Sequence, residues 1–322
     1  MDNTLKPTAA LDAHPETQVA ERVRRPPRRI NTFRVVTYIV LTLAAVIYLM
    51  PFVVMITKSV MTFTEASGSA FLPPNGVHLQ NYTEVWNDQY VDEDGQVQPG
   101  DHFWRYILTT ALIEVLTVVG QTLVAILAAY GFARMKFPGR DLLFGMFLIT
   151  IFVPTTVTLT PNFILVTRIS NFFKAINPAL QWTNNWPSLV IPFLASTFSI
   201  FLLRQFFRQI PDEIWEAARL DGASHLRFLF QFVVPLSRAA VLTVVLFAFL
   251  GVWNMLQWPL LVISDKNWWT IGVALQQYRA ADGAQPQLLM AASVIALIPI
   301  LIIYFFTQKQ FTQGIATTGL KG

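Results

Sequence analysis

Long apolar stretches dominate the pattern of hydrophobic and polar positions along this chain. Five of them contain no Asp, Glu, Lys or Arg, and a sixth contains only Glu114. Each can supply the ~20 apolar residues that a helix needs to cross about 30 Å of hydrocarbon. The pattern therefore predicts six transmembrane helices, in Val35–Thr57, Tyr106–Ala133, Leu142–Thr167, Ala175–Leu203 (its helix at about Trp186–Phe206), Ala239–Ser264 and Gly283–Gln308.

Composition agrees with an all-α integral membrane protein. Hydrophobic residues make up 54% of the 322 residues and charged residues only 13%, against about 25% charged in a soluble domain. The chain has no cysteine, its four histidines are scattered, and it has no P-loop motif. We therefore expect no catalytic residue, no metal site and no directly bound cofactor.

The distribution of Lys and Arg predicts the orientation. With a cytoplasmic N-terminus and six spans, 17 of the 23 Lys and Arg residues fall on the inner side and six on the outer side. This bias predicts that both termini are cytoplasmic. It also explains the pI of about 9.4 without nucleic acid as a partner.

The polar segments divide the chain. Residues 1–33 are predicted to be a disordered cytoplasmic tail, 34–309 a six-span transmembrane domain, and 310–322 a second cytoplasmic tail. The Arg22–Arg34 cluster could contact anionic lipid, although a topology signal is the simpler interpretation. The long polar segment Val60–Trp104 is predicted to be an outer loop.

A short cytoplasmic element is predicted between spans four and five, at residues 211–226. Pro211 suits a helix start and Gly222 a left-handed stop, while Ser224 can cap a second helix. Apolar and small residues recur at helical spacing and are expected on one side, at Ile214, Ala217, Ala218 and Leu220. The element is equally compatible with docking into a partner and with a hairpin that lies on the bilayer.

Glu114 is the only acid within a predicted span. An ionisable residue inside a membrane is a functional candidate by default. Three roles stay open for it: a solvated position at the edge of a pore, contact with substrate, and a structural hydrogen bond.

Several motifs resemble those of ABC-importer permeases. The pattern Glu216-Ala217-Ala218-x-x-Asp221-Gly222-Ala223 is similar to the EAA motif of that family. Further matches cover most of the chain after the first ~30 residues, at Asn81–Trp86, Ala128–Arg134, Phe137–Arg140, Phe249–Asn254, Trp258–Leu260, Leu288–Val294 and Leu320–Gly322. The closest group is the maltose-type carbohydrate permeases, specifically their second, smaller permease subunit.

The resemblance implies a type I importer fold and a set of partners. These are a second, homologous permease subunit, a dimer of ATPase subunits that bind ATP and Mg²⁺, and an extracytoplasmic substrate-binding protein. The EAA residues would couple this chain to an ATPase. The implied location is a bacterial or archaeal cytoplasmic membrane, crossed several times.

The resemblance also implies roles for two further groups of residues. The loop between spans five and six would enter the cleft of the binding protein, through Gln276, Gln277, Tyr278, Arg279 and Asp282. Candidate pore or substrate residues are Glu114, Trp253, Asn254 and Gln257. Extra residues near 88–101 and 171–185 distinguish the outer surface from that of relatives.

The expected substrate is a sugar, most simply a di- or oligosaccharide such as a maltose- or trehalose-type glucoside. The alternative within the family is an importer of glycerol 3-phosphate or a glycerophosphodiester. A proton-coupled secondary carrier would require inverted repeats and several intramembrane acids, of which the sequence has only Glu114. A membrane enzyme would require convergent catalytic groups, and a scaffold would not require the EAA element.

Overall fold

The computed structural model describes residues 32–87, 90–91, 97–98, 102–279 and 284–318. The chain divides into two compact units, Met1–Met50 and Pro51–Gly322. Residues 1–31 of the predicted tail, Asp282 and residues 319–322 lie outside the described residues. In the first unit, the described residues belong to helix α1, Thr32–Ser59, whose apolar side chains are exposed.

The second unit is built almost entirely of helices. Its long helices are α4 (Phe103–Arg134), α6 (Thr155–Ile176), α8 (Thr197–Gln209), α12 (Arg238–Trp253) and α15 (Pro286–Thr318). The shorter helices are α2 (Phe63–Ser67), α3 (Gln80–Asn87), α5 (Arg140–Ile149), α7 (Trp186–Val190), α9 (Asp212–Leu220), α10 (His225–Phe228), α11 (Val234–Leu236), α13 (Gln257–Val262) and α14 (Ile271–Gln276). A π-helical turn, Leu229–Val233, joins α10 to α11.

Three described helices are long and apolar enough to cross a membrane alone, namely α1, α4 and α15. Three further candidates are bent helix pairs, and counting each pair as one span gives six. The first pair joins Arg140–Phe152 to Thr155–Ile176 at 107°. Its break lies at Pro154, whose ring cannot continue a helix.

The sequence predicted the other breaks in the transmembrane helices less accurately. The fifth predicted span, Ala239–Ser264, is interrupted because α12 ends at Trp253 and α13 begins at Gln257. The fourth bends by 42° between Phe193 and Thr197. The sixth begins at Pro286 and continues as helix to Thr318, past the boundary predicted at residue 309.

Three buried clusters hold the second unit together. The connector core comprises Ala125, Ile126, Ala129, Tyr130, Ile200, Leu203, Phe207, Ala218, Phe228, Leu229, Val233, Ala240 and Val244. The central core comprises Ile113, Val166, Leu189, Val190, Val252, Trp258, Val262 and Ile263. The α14–α15 core comprises Val85, Phe103, Tyr106, Ile271, Ala274, Tyr278, Leu288, Ala291, Ala292 and Ala296.

The predicted outer loop is ordered near α2. Thr62 and Glu65 form a reciprocal capping box, and the Glu65 carboxylate also accepts hydrogen bonds from the backbone and side chain of Asn75. Two short strands, Tyr90–Val91 and Val97–Gln98, pair antiparallel. Residues 92–96, which connect the two strands, lie outside the described residues.

One of the two extra outer segments, residues 171–185, is tied to the loop after α13. The side-chain oxygen of Asn184 accepts hydrogen bonds from the backbone amides of Ser264 and Asp265. The Asn184 amide donates to the Val262 carbonyl at 3.0 Å. These bonds fix the segment beside the end of α13.

Candidate functional site

The predicted cytoplasmic element folds as a helix, a turn and a second helix. We call residues 212–228 the connector. Asp212 and Glu213 lie in the first turn of α9, where negative charge is favourable beside the helix N-terminus. Gly222 ends the helix with φ = 78°, a conformation that glycine adopts readily. The Ser224 side chain then caps α10 by accepting from the Arg227 amide.

The two faces of α9 differ from the sequence expectation. Ile214, Trp215 and Ala218 pack on the connector core, whereas Ala217 and Leu220 are exposed, the latter by 89%. The expectation that all four residues share one side was therefore wrong, because the structure separates Ala217 and Leu220 from Ile214 and Ala218. Helical spacing fixes the angles between residues, but stacking of Trp215 on His225, at 4.5 Å between ring centroids, decides which side faces inward.

The connector is bonded directly to the end of α4. The Tyr130 hydroxyl lies 2.9 Å from His225 Nδ1. The Arg134 guanidinium donates from Nε to the Phe207 carbonyl at 3.0 Å, contacts the Ile210 carbonyl and pairs with Asp212. Movement of the connector would therefore act on α4 through polar bonds as well as packing.

A cavity of about 660 Å³ lies among α4, α6, α8, α12 and α13. It forms where helices break, because Leu194–Ser196 and Asn254–Leu256 leave two gaps beside the start of α6. Its polar lining consists of Gln121, Thr155, Thr158, Asn162, Ser196, Ser199, Asn254 and Gln257. A concavity of about 690 Å³ bounded by residues 136–142 shares none of these residues.

Hydrogen bonds organise one wall of the cavity. Gln121 Nε2 donates to Ser199 Oγ at 3.0 Å, and Ser199 Oγ donates to Ser196 Oγ at 3.0 Å. Ser196 also caps α8 by accepting from the Ser199 amide. A Cβ added at Gly120 would lie 2.5 Å from Leu194 Cδ2, so glycine there allows α4 to approach the break before α8.

Two of the four predicted pore residues line this cavity, namely Asn254 and Gln257. Trp253 does not, because its ring stacks on Phe249 at 5.6 Å and packs on the α14–α15 core. Glu114 is also absent from the lining and is only 5% exposed. Neither of its carboxylate oxygens has a hydrogen-bond partner within the described part of the chain.

Glu114 belongs to a buried polar stripe along α4. Thr110, Glu114, Thr117 and Gln121 are all buried, and their spacing of three or four residues places them on one helix face. Gln121 reaches the cavity, two turns beyond Glu114. The stripe thus ends at the cavity.

The predicted docking loop is only partly available for contact. Gln276 and Gln277 are half-buried and Arg279 is exposed. Tyr278 is only 6% exposed and packs in the α14–α15 core, so its ring anchors the loop. Asp282 lies outside the described residues.

Sequence reasoning missed most of the cavity lining, including Gln121, Asn162 and Ser199. The available signal was the presence of uncharged polar residues inside apolar stretches. It also did not identify the contacts that Tyr130, Arg134 and His225 make between the connector and α4.

Comparisons with known proteins agree with this architecture. Residues 121–317 match the family described as binding-protein-dependent transport system inner membrane component. The sn-glycerol-3-phosphate transport system permease protein UgpE of Pectobacterium atrosepticum is 34% identical over 215 residues, which is 66% of this chain and 73% of the relative. The protein of the same name from Escherichia coli O1:K1 / APEC is 29% identical over 282 residues, 87% and 94% of the two chains.

Two solved structures share the fold. One is a bacterial ABC transporter involved in the import of the acidic polysaccharide alginate, with a TM-score of 0.69, 22% identity and coverage of 88% of this chain and 98% of that chain. The other is a bacterial alginate ABC transporter in complex with alginate pentasaccharide-bound periplasmic protein, with a TM-score of 0.56, 12% identity and coverage of 86% and 96%. Because the family match covers more than half of the chain and the predicted fold is confirmed, this protein belongs to the inner membrane components of binding-protein-dependent transport systems, as a permease subunit with the ABC-importer fold.

Proposed function

We propose that this chain is one half of the translocation unit of an ABC importer for a sugar, and that its connector is the contact with an ATPase subunit. The observation that carries the proposal is the connector's exposed face. Glu216, Ala217 and Leu220 are exposed on a helix whose opposite side is fixed to the spans.

This face has the composition of a docking surface. The apolar side chain of Leu220 is 89% exposed. A partner that covers it removes apolar surface from water, which lowers the free energy of the complex. Ala217 is small enough for close approach, while exposed Glu216 and Asp221 offer carboxylates for charge pairing. A cleft with apolar walls and an arginine would complement them.

The proposed mechanism uses the bonds between connector and α4. ATP and Mg²⁺ would bind to the two ATPase subunits, whose closure moves the connector. The Tyr130–His225 and Arg134–Asp212 contacts would pass this movement to α4. Paired with a second permease subunit, the spans would then alternate between outward and inward access by rigid-body motion.

A substrate-binding protein is proposed to deliver the sugar from outside. The contact would include Arg279, which is exposed, beside Gln276 and Gln277. Asn254 and Gln257 are proposed as pore residues because they line the cavity. Glu114 is proposed to act at the pore edge, within the polar stripe and two turns from Gln121.

An importer of glycerol 3-phosphate is the second candidate. It is favoured by the names of relatives that are 34% and 29% identical to this chain. The two candidates share the connector and its ATPase partner. They differ in the charge of the substrate, and therefore in what the cavity must accommodate.

The test of the coupling proposal compares Glu216→Ala and Gly222→Val in the full complex, purified through a tag on this chain. Glu216→Ala removes a charge partner, and truncating one member of a desolvated pair costs about 2–5 kcal/mol. Gly222→Val strains a position with φ = 78° and displaces the whole turn. Both variants should insert normally yet lose ATPase subunits or uncouple hydrolysis from uptake, with Gly222→Val the more severe.

The matched controls are Glu84→Gln, at an exposed position of α3, and Gly145→Val, where no atom lies within 4 Å of an added Cβ. Both should keep wild-type ATPase retention and uptake. If Glu216→Ala and Gly222→Val also retain them, the connector is only a hairpin on the bilayer surface and the proposal is wrong.

A further inference from the structure

We infer that the cavity between α4, α6, α8, α12 and α13 is a binding site in this subunit for a neutral sugar unit, not for a phosphorylated one. The inference deepens the proposed function and rests on it. The cavity volume of about 660 Å³ lies within the range of small-molecule sites, about 300–1,000 Å³. A disaccharide or one end of a longer saccharide would fit.

The charge of the lining identifies the ligand class. None of the described residues that line the cavity is Asp, Glu, Lys, Arg or His. A phosphate is recognised by Arg, Lys or exposed helix N-termini, and an unpaired anion in a site of low polarity is costly. In this cavity the first turn of α8 is capped by Ser196. The first turn of α6, which has no side-chain cap, is the one N-terminus of a long helix among the described lining residues that is left to an anion. No described lining residue supplies a cation to support it, so the inference against a phosphate rests on the missing positive charge.

The polar groups present suit hydroxyls. Side-chain amides carry both donors and acceptors, and three amide residues, Asn162, Asn254 and Gln257, are exposed to the cavity. Within the described chain, no hydrogen bond engages the side chains of Asn162 or Gln257. Asn254 uses Nδ2 to donate to the Leu250 carbonyl at 2.7 Å, which orients its amide. Sugar hydroxyls both donate and accept, so they can satisfy such groups.

Aromatic side chains complete the site. Phe193 and Trp258 meet edge to face at 5.8 Å, and Phe198 and Phe247 do so at 5.3 Å. All four line the cavity. The Trp258 indole donates to the Ser188 carbonyl at 2.8 Å, which fixes its ring. Rigid aromatic walls with a few polar groups match a pyranose ring, which has apolar C–H faces and a polar edge.

The test uses thiol protection, because the natural chain has no cysteine. Ala195→Cys, at an exposed alanine that lines the cavity, is introduced into the full complex in nanodiscs, and modification of this chain by a small methanethiosulfonate is timed. The probes are the neutral saccharides maltose, trehalose and maltotriose, and sn-glycerol 3-phosphate. At ten times its dissociation constant, a bound ligand slows modification about tenfold. We expect this protection from at least one neutral saccharide and none from glycerol 3-phosphate.

A variant that fills part of the cavity provides the second part of the test. Gly251 lines the cavity on α12, and nothing lies within 4 Å of an added Cβ. Gly251→Val should therefore fold, occupy ligand space and lower neutral-sugar uptake about tenfold. The matched control is Gly145→Val, another helical glycine with open space, which does not line the cavity. It should leave uptake unchanged.

Three results would overturn the inference. Protection by glycerol 3-phosphate alone would assign the site to an anion. Slow modification of Ala195→Cys without any probe would show that the second permease fills the cavity. Full modification with every probe, in a complex that retains its ATPase subunits, would show that the cavity binds none of these ligands. The proposed importer function would still stand. Failure of the importer function itself would appear separately, as wild-type behaviour of Glu216→Ala and Gly222→Val.

Discussion

The Tyr130 hydroxyl lies 2.9 Å from Nδ1 of His225. This contact joins a transmembrane helix to the connector, across 95 residues of sequence. His225 also stacks on Trp215 of α9, so its imidazole contacts both α4 and α9. The finding identifies a specific bond through which connector movement would reach the spans.

Tyr130→Phe tests that bond. It removes one hydroxyl and keeps the ring, so the loss is that of a single hydrogen bond, about 0.5–1.5 kcal/mol. We expect intact assembly, but about a two- to tenfold fall in sugar molecules imported per ATP hydrolysed by the reconstituted complex. Tyr48→Phe, at a residue that is 77% exposed on α1, should change nothing. An unchanged ratio for Tyr130→Phe would show that packing alone transmits the movement.

Glu114→Gln separates function from stability at the buried acid. The wild-type carboxyl group is buried without a hydrogen-bond partner among the described residues, so an amide of the same shape breaks no hydrogen bond and should leave the Tm of the complex about equal. If Glu114 acts at the pore edge, uptake should fall about tenfold, a loss of about 1.4 kcal/mol in transition-state stabilisation. Thr117→Val, one turn along the same stripe, is the packing control. Wild-type uptake by Glu114→Gln would leave the residue without a transport role.

Glu65 predicts a pH dependence of stability. A hydrogen bond from the Thr62 backbone amide, with others from the Thr62 and Asn75 groups, holds the pKa of the Glu65 carboxyl below its usual value. A carboxyl whose pKa is lowered by folding stabilises the fold at neutral pH, and this contribution disappears as pH falls through the folded-state pKa.

Glu65→Gln should therefore lower the Tm of the purified protein at pH 7. The gap from wild type should narrow in acid, below the usual Glu pKa of about 4.3. Glu84→Gln, at an exposed position, is the control and should show no gap at either pH. A gap for Glu65→Gln that persists unchanged in acid would mean that the amide cannot replace the carboxylate for geometric reasons.

Topology can be tested with the same cysteine-free background. The 17-to-6 distribution of cationic residues predicts that Ser69 lies outside and Gln209 inside. Both are exposed. In intact cells or spheroplasts, Ser69→Cys should react with an impermeant maleimide, and Gln209→Cys only after permeabilisation. The reverse pattern would invert the predicted orientation.

The sequence alone determined the features that depend on local composition. Apolar stretches long enough for the bilayer defined the spans, because hydrocarbon tolerates few charges over such a length. The turn at Gly222 followed from the need for positive φ, and the structure has φ = 78° there. The motif from Glu216 to Ala223 also indicated the correct family.

The tertiary structure decided which residues meet. A span is apolar toward lipid and apolar toward its neighbours, so its pattern does not tell which face is packed. The sequence therefore could not distinguish Trp253, which packs on the α14–α15 core, from Asn254, which lines the cavity. Gln121 and Ser199 come from different spans and lie 3.0 Å apart, a contact that the pattern of neither span predicts. Contacts of this kind between helices form the walls of the cavity, and the helical periodicity of a sequence does not encode them.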